Sequence, residues 1–127
     1  YPSSWANVSV KRLSVSSTSN SDLRSAFATY GVKVELAAPG EQIYSAAPDS
    51  RVAAWSGTSM SAPVVSGVAA LALGETTSSG AACSVLGIFA QTAAPLNGQN
   101  LGSGRLNAGA ALNALRNNSF TLNSECL

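Results

Sequence analysis

Histidine is absent from this sequence, which removes the commonest general base and the commonest neutral metal ligand in one stroke. Charge is scarce as well: 10% of residues are charged and the net charge is +1. That balance excludes a polybasic arm for nucleic acid or an anionic membrane, since no long basic patch forms around Lys11-Arg12 or elsewhere. Long apolar runs are missing too. The longest, Val64 to Leu73, is interrupted by Ser66 and Gly67 and falls short of the roughly 18 residues of a membrane span. Neither nucleic acid nor membrane is expected as a partner. Cysteine occurs twice, as Cys83 and Cys126, with a separation that fits neither a redox CxxC nor a zinc site. One disulfide is the favoured reading, with two buried thiols as the alternative. If formed, it closes a loop of about 40 residues, worth on the order of 4 kcal/mol in the chain-entropy model, and it indicates an oxidising compartment. The opening "YPSSW" has no initiating Met, charged segment or apolar segment of a signal peptide, as expected of a mature or clipped product.

Apolar residues, at 46% of the chain, are plentiful, and 127 residues suffice for a domain with a real core or for a piece of a larger one. "VSVKRLSV" (residues 8–15) reads as a strand whose Lys11 and Arg12 imply an edge position or a snorkelling pair. The polar "SSTSNSD" after it reads as a turn. In "VKVELAAPG", Val32, Val34 and Leu36 alternate before Pro39-Gly40 stops the strand. "QIYSA" and "RVAAW" read as two short strands across "PDS". From Thr58 to about Leu73 the residues are apolar nearly all round, predicting a helix buried at the centre of a domain. "CSVLGIFAQTA" and "LNAGAALNAL" predict two further helices. Strands alternating with helices give an α/β layer structure. Three helices are too few to cover both faces of a parallel sheet, so the chain reads as half of an α/β domain. Asn7-Val8-Ser9 and Asn117-Asn118-Ser119 match the glycosylation pattern, a short and frequent one.

The stretch "AAWSGTSMSAPVVSGVAALAL" carries the chemistry. Ser59 falls where coil becomes helix. A serine hydroxyl is a weak nucleophile until a base takes its proton, and the oxyanion that follows needs N–H donors. The first turn of a helix supplies such donors together with a partial positive charge. The plainer reading is that Thr58 or Ser59 caps the helix, which is worth about 1 kcal/mol. Pro63 leaves the Ser59 carbonyl without its usual helical partner, and Gly57 is expected to permit a tight turn before the serine.

The longer string Gly57-Thr58-Ser59-Met60-Ser61-Ala62-Pro63, followed by Val65, Gly67 and an alanine-rich helix, resembles the nucleophile segment of subtilisin-like serine proteases. Other stretches resemble that family in family order: Tyr1-Pro2 with "NVSV", then "AFATYG", "VELAAPG", "IYSA", "FAQTAAPL" and "GSGRLNAGAAL". Two positions depart from the pattern. Val64 stands where the family commonly has histidine, and Lys11-Arg12 replaces an apolar stretch. The resemblance implies the C-terminal half of a three-layer fold with a mainly parallel sheet, spanning residues 1–127 as part of one peptidase domain. It implies that Ser59 is the nucleophile and that its own N–H is an oxyanion donor. It also implies a secreted endopeptidase acting on peptide or protein substrates. No cofactor is implied for the chemistry; a structural calcium or monovalent cation on the backbone carbonyls of Ser3, Trp5 and Val8 is.

In that family the order is Asp, His, Ser, so the base and its partner lie upstream of Ser59, as does the amide that completes the oxyanion hole. Lys11, Lys33, Asp22, Glu35, Glu41, Asp49, Glu75 and Glu125 match no family base. Two classes of function stand: the nucleophile half of an endopeptidase completed by an upstream half, or a non-catalytic α/β fragment that binds or packs. Without the upstream half the chain is expected to be inactive and to self-associate. The walls of the substrate pocket are expected largely in that half.

Overall fold

A computed structural model describes residues 12–76 and 81–119. The order of elements is β1 (Val15–Thr18), β2 (Leu36–Pro39), β3 (Ile43–Ala47), β4 (Arg51–Trp55), α1 (Thr58–Gly74), α2 (Ala81–Thr92) and α3 (Ala108–Arg116). β1 and β2 pair in parallel, Val15 opposite Leu36 through Thr18 opposite Pro39. The crossover between them, residues 19–35, contains no helix. β3 and β4 form an antiparallel hairpin from Ile43 opposite Trp55 to Ala47 opposite Arg51. Its turn places Asp49 and Ser50 in the left-handed region, at φ 61° and 55°, where Asp is better tolerated than most residues.

One strand starts later than the hydrophobic pattern predicts, and another continues past it. The part of the expected 8–15 strand at residues 8–11 lies outside the described residues. The described strand runs from Val15 into the "SST" that reads as a turn. Partners from the following loop for two of the three hydroxyls explain the shift, the Thr18 hydroxyl being buried without one among the described residues. Ser16, Ser17 and Thr18 are buried; Ser16 Oγ donates to the Thr29 carbonyl at 2.5 Å and Ser17 Oγ pairs with Ser25 Oγ at 2.8 Å. Paired in this way, polar side chains occupy a buried strand at little cost. Val32 is 99% exposed, so β2 uses only the second half of its alternating run.

Within β2, alternate residues serve two cores. Leu36 and Ala38 face α1, α2 and α3, joining Val65, Ala72, Val85, Ile88, Phe89, Leu106 and Ala111. Ala37 faces the other way, with Val34 and Leu101. The free edge of β2 is extended by a later segment: Ala37 N–H donates to the Gly104 carbonyl and Leu106 N–H to the Ala37 carbonyl, both at 2.8 Å. Arg105 in turn exchanges two 2.8 Å bonds with Ala94. The close approach explains Gly104, which has φ +120° and where any Cβ would collide with the Ala94 carbonyl. The α/β layering expected from the sequence is therefore present.

α1 packs on β1, β2, α2 and α3, but it is not buried all round. Ser61, Val65 and Ala72 are its buried residues, while Leu71 is 63% exposed. Among the described residues a layer lies against one face of α1 and none against the other, the exposure expected of a helix in half of an α/β domain. α2 carries the buried Val85, Ile88 and Phe89. α3 starts at Asn107, whose side chain accepts from the Ala110 N–H at 3.0 Å, a cap worth about 1 kcal/mol.

Candidate active site

Ser59 is the second residue of α1 and is exposed. The N-cap is Gly57, with no side-chain cap, so neither Thr58 nor Ser59 does the capping that the plainer reading gave them. Gly57 has φ 160° and ψ 160°, an extended conformation open to any residue, which corrects the expectation of a tight glycine turn there. The Gly57 carbonyl accepts from Met60 N–H at 2.9 Å and from Ser61 N–H at 3.4 Å. The N–H groups of Thr58 and Ser59 have no backbone acceptor among the described residues, and the Ser59 hydroxyl makes no hydrogen bond there. An exposed hydroxyl, an unpaired N–H beside it and the positive end of a 17-residue helix are thus brought to one point. A carbonyl placed over Ser59 would find a nucleophilic oxygen and a donor for the charge that develops on its own oxygen.

Beside Ser59 lies an open cleft of about 430 Å³ between the β3–β4 hairpin and the first turns of α1. Ile43, Tyr44, Trp55, Met60, Pro63 and Val64 line it, and among the described residues no charged side chain does. Val64, at the position where histidine is common in the family the sequence resembles, is half-buried and touches both this cleft and the main core. The cleft was not foreseen. Its signal lay in the apolar Ile43, Tyr44 and Trp55, which read only as strand residues until the hairpin folded back toward the helix.

Four of the carboxylates set aside as bases are engaged elsewhere. Asp22 pairs with Arg105 at 2.5 Å, and Glu35 accepts from the Ser14 N–H at 2.9 Å. Asp49 pairs with Arg51 at the exposed hairpin tip, 2.9 Å away. Glu75 pairs with Arg116 at 2.7 Å; the Arg116 hydrogen bond and positive charge hold its carboxyl below the ordinary carboxylate range. Lys11, Glu125, Cys126 and the carbonyls of Ser3, Trp5 and Val8 lie outside the described residues. Cys83 is buried in α2. Among the described residues no group of three His, Cys, Asp or Glu could hold a metal ion, and no helix is long and apolar enough to cross a membrane.

The fold matches a known class. The subtilase family model matches residues 1–109, and the chain belongs to that family of serine proteases. Among its relatives, the extracellular basic protease of Dichelobacter nodosus is 41% identical over 91% of this chain and 21% of its own length. Subtilisin Savinase of Lederbergia lenta is 36% identical over 87% of this chain and 40% of its own. Among solved structures, the patellamide maturation protease PatA superposes with a TM-score of 0.76 and 30% identity, covering 84% of this chain and 44% of that one. The chain therefore spans less than half the length of these relatives, and its fold is the corresponding part of a subtilisin-like α/β domain.

Proposed function

We propose that this chain is the nucleophile-bearing part of a secreted subtilisin-like endopeptidase. The single observation that carries the reading is Ser59 itself: exposed, uncapped and unbonded, with its own N–H free at the N-terminus of α1. In the proposed reaction Ser59 Oγ attacks the scissile carbonyl carbon while its proton passes to a histidine of the upstream half, held by an aspartate there. The carbonyl oxygen becomes an oxyanion against the Ser59 N–H and an upstream amide. The C–N bond then breaks, the histidine returns the proton to the departing amine, and water hydrolyses the acyl-serine by the reverse sequence. The apolar cleft lies where a neighbouring part of a peptide substrate would rest. Secretion is supported by the relative named as extracellular. A Cys83–Cys126 disulfide agrees with that compartment, and a weak cation on the carbonyls of Ser3, Trp5 and Val8 completes the reading.

The test is expression of the complete reading frame that encodes this chain and assay of chromogenic peptide hydrolysis. Ser59→Ala is expected to reduce turnover to the residual level of about 10³ to 10⁴ over the uncatalysed rate. Full turnover in Ser59→Ala would overturn the nucleophile assignment. Adding calcium, sodium or potassium and following the thermal midpoint tests the cation: no shift with any of them counts against the site.

A further inference from the structure

Gly40, at the end of β2 and 19 positions before Ser59 in the sequence, is buried at the underside of the turn that carries the serine. Its φ lies outside the left-handed region, so the backbone does not demand glycine. Space does. A Cβ at position 40 would collide with Ser61 Oγ and Ser17 Oγ and would come within 2.7 Å of the Gly57 carbonyl oxygen. Ser17 and Ser61 are themselves fully buried, so their hydroxyls have little room to withdraw. Gly57 is main chain, and it can yield only by moving the start of α1.

The same residue is a link in a chain of main-chain hydrogen bonds. Gly40 N–H donates to the Thr18 carbonyl at 3.0 Å, and the Gly40 carbonyl accepts from Gly57 N–H at 2.8 Å. The Gly57 carbonyl then accepts from Met60 and Ser61, the residues on either side of which α1 begins its regular pairing. Position is therefore passed from the buried end of β1 through Gly40 and Gly57 to the turn that holds Ser59. From this contact we infer that Gly40 is a positioning residue for the nucleophile: its missing side chain lets the N-cap of α1 lie directly on the sheet and sets where Ser59 Oγ and its N–H stand. The inference rests on Ser59 being the nucleophile. A displacement of about 1 Å at reacting atoms can cost about a hundredfold in rate, so a methyl group at position 40, buried beneath the turn, acts on turnover through Gly57.

The experiment uses the complete protease and measures kcat and KM for Gly40→Ala, for Ser17→Ala/Ser61→Ala, and for the triple variant that combines them. Folded protein is verified by near-ultraviolet circular dichroism. The expected result is a fall in kcat of about ten- to a hundredfold in Gly40→Ala with KM within about twofold, the signature of lost transition-state geometry rather than lost binding. Removing the two hydroxyls clears the two nearest obstacles, so the loss caused by Gly40→Ala should be smaller in that background but still present, because the Gly57 carbonyl remains. If Gly40→Ala alone does not fold, the triple variant compared with its double parent carries the test. A folded Gly40→Ala variant with the kcat of its glycine parent would overturn the inference, as would a rise in KM that accounts for the whole loss. Ser59→Ala run in parallel separates the two proposals: if it retains turnover, the nucleophile assignment fails whatever Gly40→Ala does.

Discussion

Arg116, in the last turn of α3, donates to the Glu75 carboxylate, just past the end of α1, at 2.7 Å. Two residues 41 positions apart in sequence thereby join α1 and α3 at their C-terminal ends, where the cation also complements the α3 dipole.

The pairing has a pH signature. Because Arg116 holds the Glu75 carboxyl below its ordinary value, the folded form carries the lower pKa. Whatever stability the pair contributes is present above the unfolded-state pKa and is lost as pH falls through the folded one. Both groups are solvent-accessible, so the contribution is small. Carbon-detected NMR titration should find Glu75 below an ordinary glutamate, and Arg116→Met should return it upward. An unchanged Glu75 titration in Arg116→Met would contradict the pairing.

Phe89 is 0% exposed and sits in the main core with Leu36, Val65 and Leu115. Phe89→Ala should destabilise by about 3 to 5 kcal/mol through lost burial and an unfilled cavity. Urea denaturation measures it, and a loss below about 1 kcal/mol would mean that α2 is not packed against β2 and α1 as described.

The disulfide proposal is checked by mass. Cys83 is buried in α2, and if it is joined to Cys126 the non-reduced chain should be 2 Da lighter than the reduced one, by about two hydrogens, and should lose on the order of 4 kcal/mol when reduced. Two alkylatable thiols in the unreduced protein would refute the pairing.

Residues 1–127 taken alone should hydrolyse no peptide and should self-associate. Leu71, Val52, Trp55 and Tyr44 are 63%, 71%, 66% and 74% exposed. An apolar surface of this kind, together with a two-stranded parallel sheet, recruits other chains. Sedimentation should reveal oligomers or aggregate. A monodisperse monomer with Ser59-dependent turnover would refute the prediction and place a base within this chain.

Much of the architecture was legible wherever local pattern and burial agree. The β3–β4 hairpin follows from "QIYSA", "PDS" and "RVAAW", and α1 spans nearly the predicted residues because an apolar, alanine-rich run of that length has no other good conformation. The run of β1 through residues 16–18 does not show in the pattern because hydrophobicity marks buried strands only when the buried atoms are apolar; here Ser16 and Ser17 are buried with partners from residues 29 and 25, which no local pattern reveals. The extension of β2 by Gly104–Leu106 was equally invisible, since a bridge of a few residues has no period of its own.

The sequence by itself determined the family, through the string around Ser59, and the absence of a histidine base from this chain, because residue identity is all that either requires. Only the tertiary structure decided that Gly57 rather than a serine caps α1, that an apolar cleft opens beside Ser59, and that Gly40 packs beneath the turn that holds Ser59. Each of those is a matter of distance between residues remote in sequence, and distance is set by how the hairpin, the sheet and the helix pack against one another.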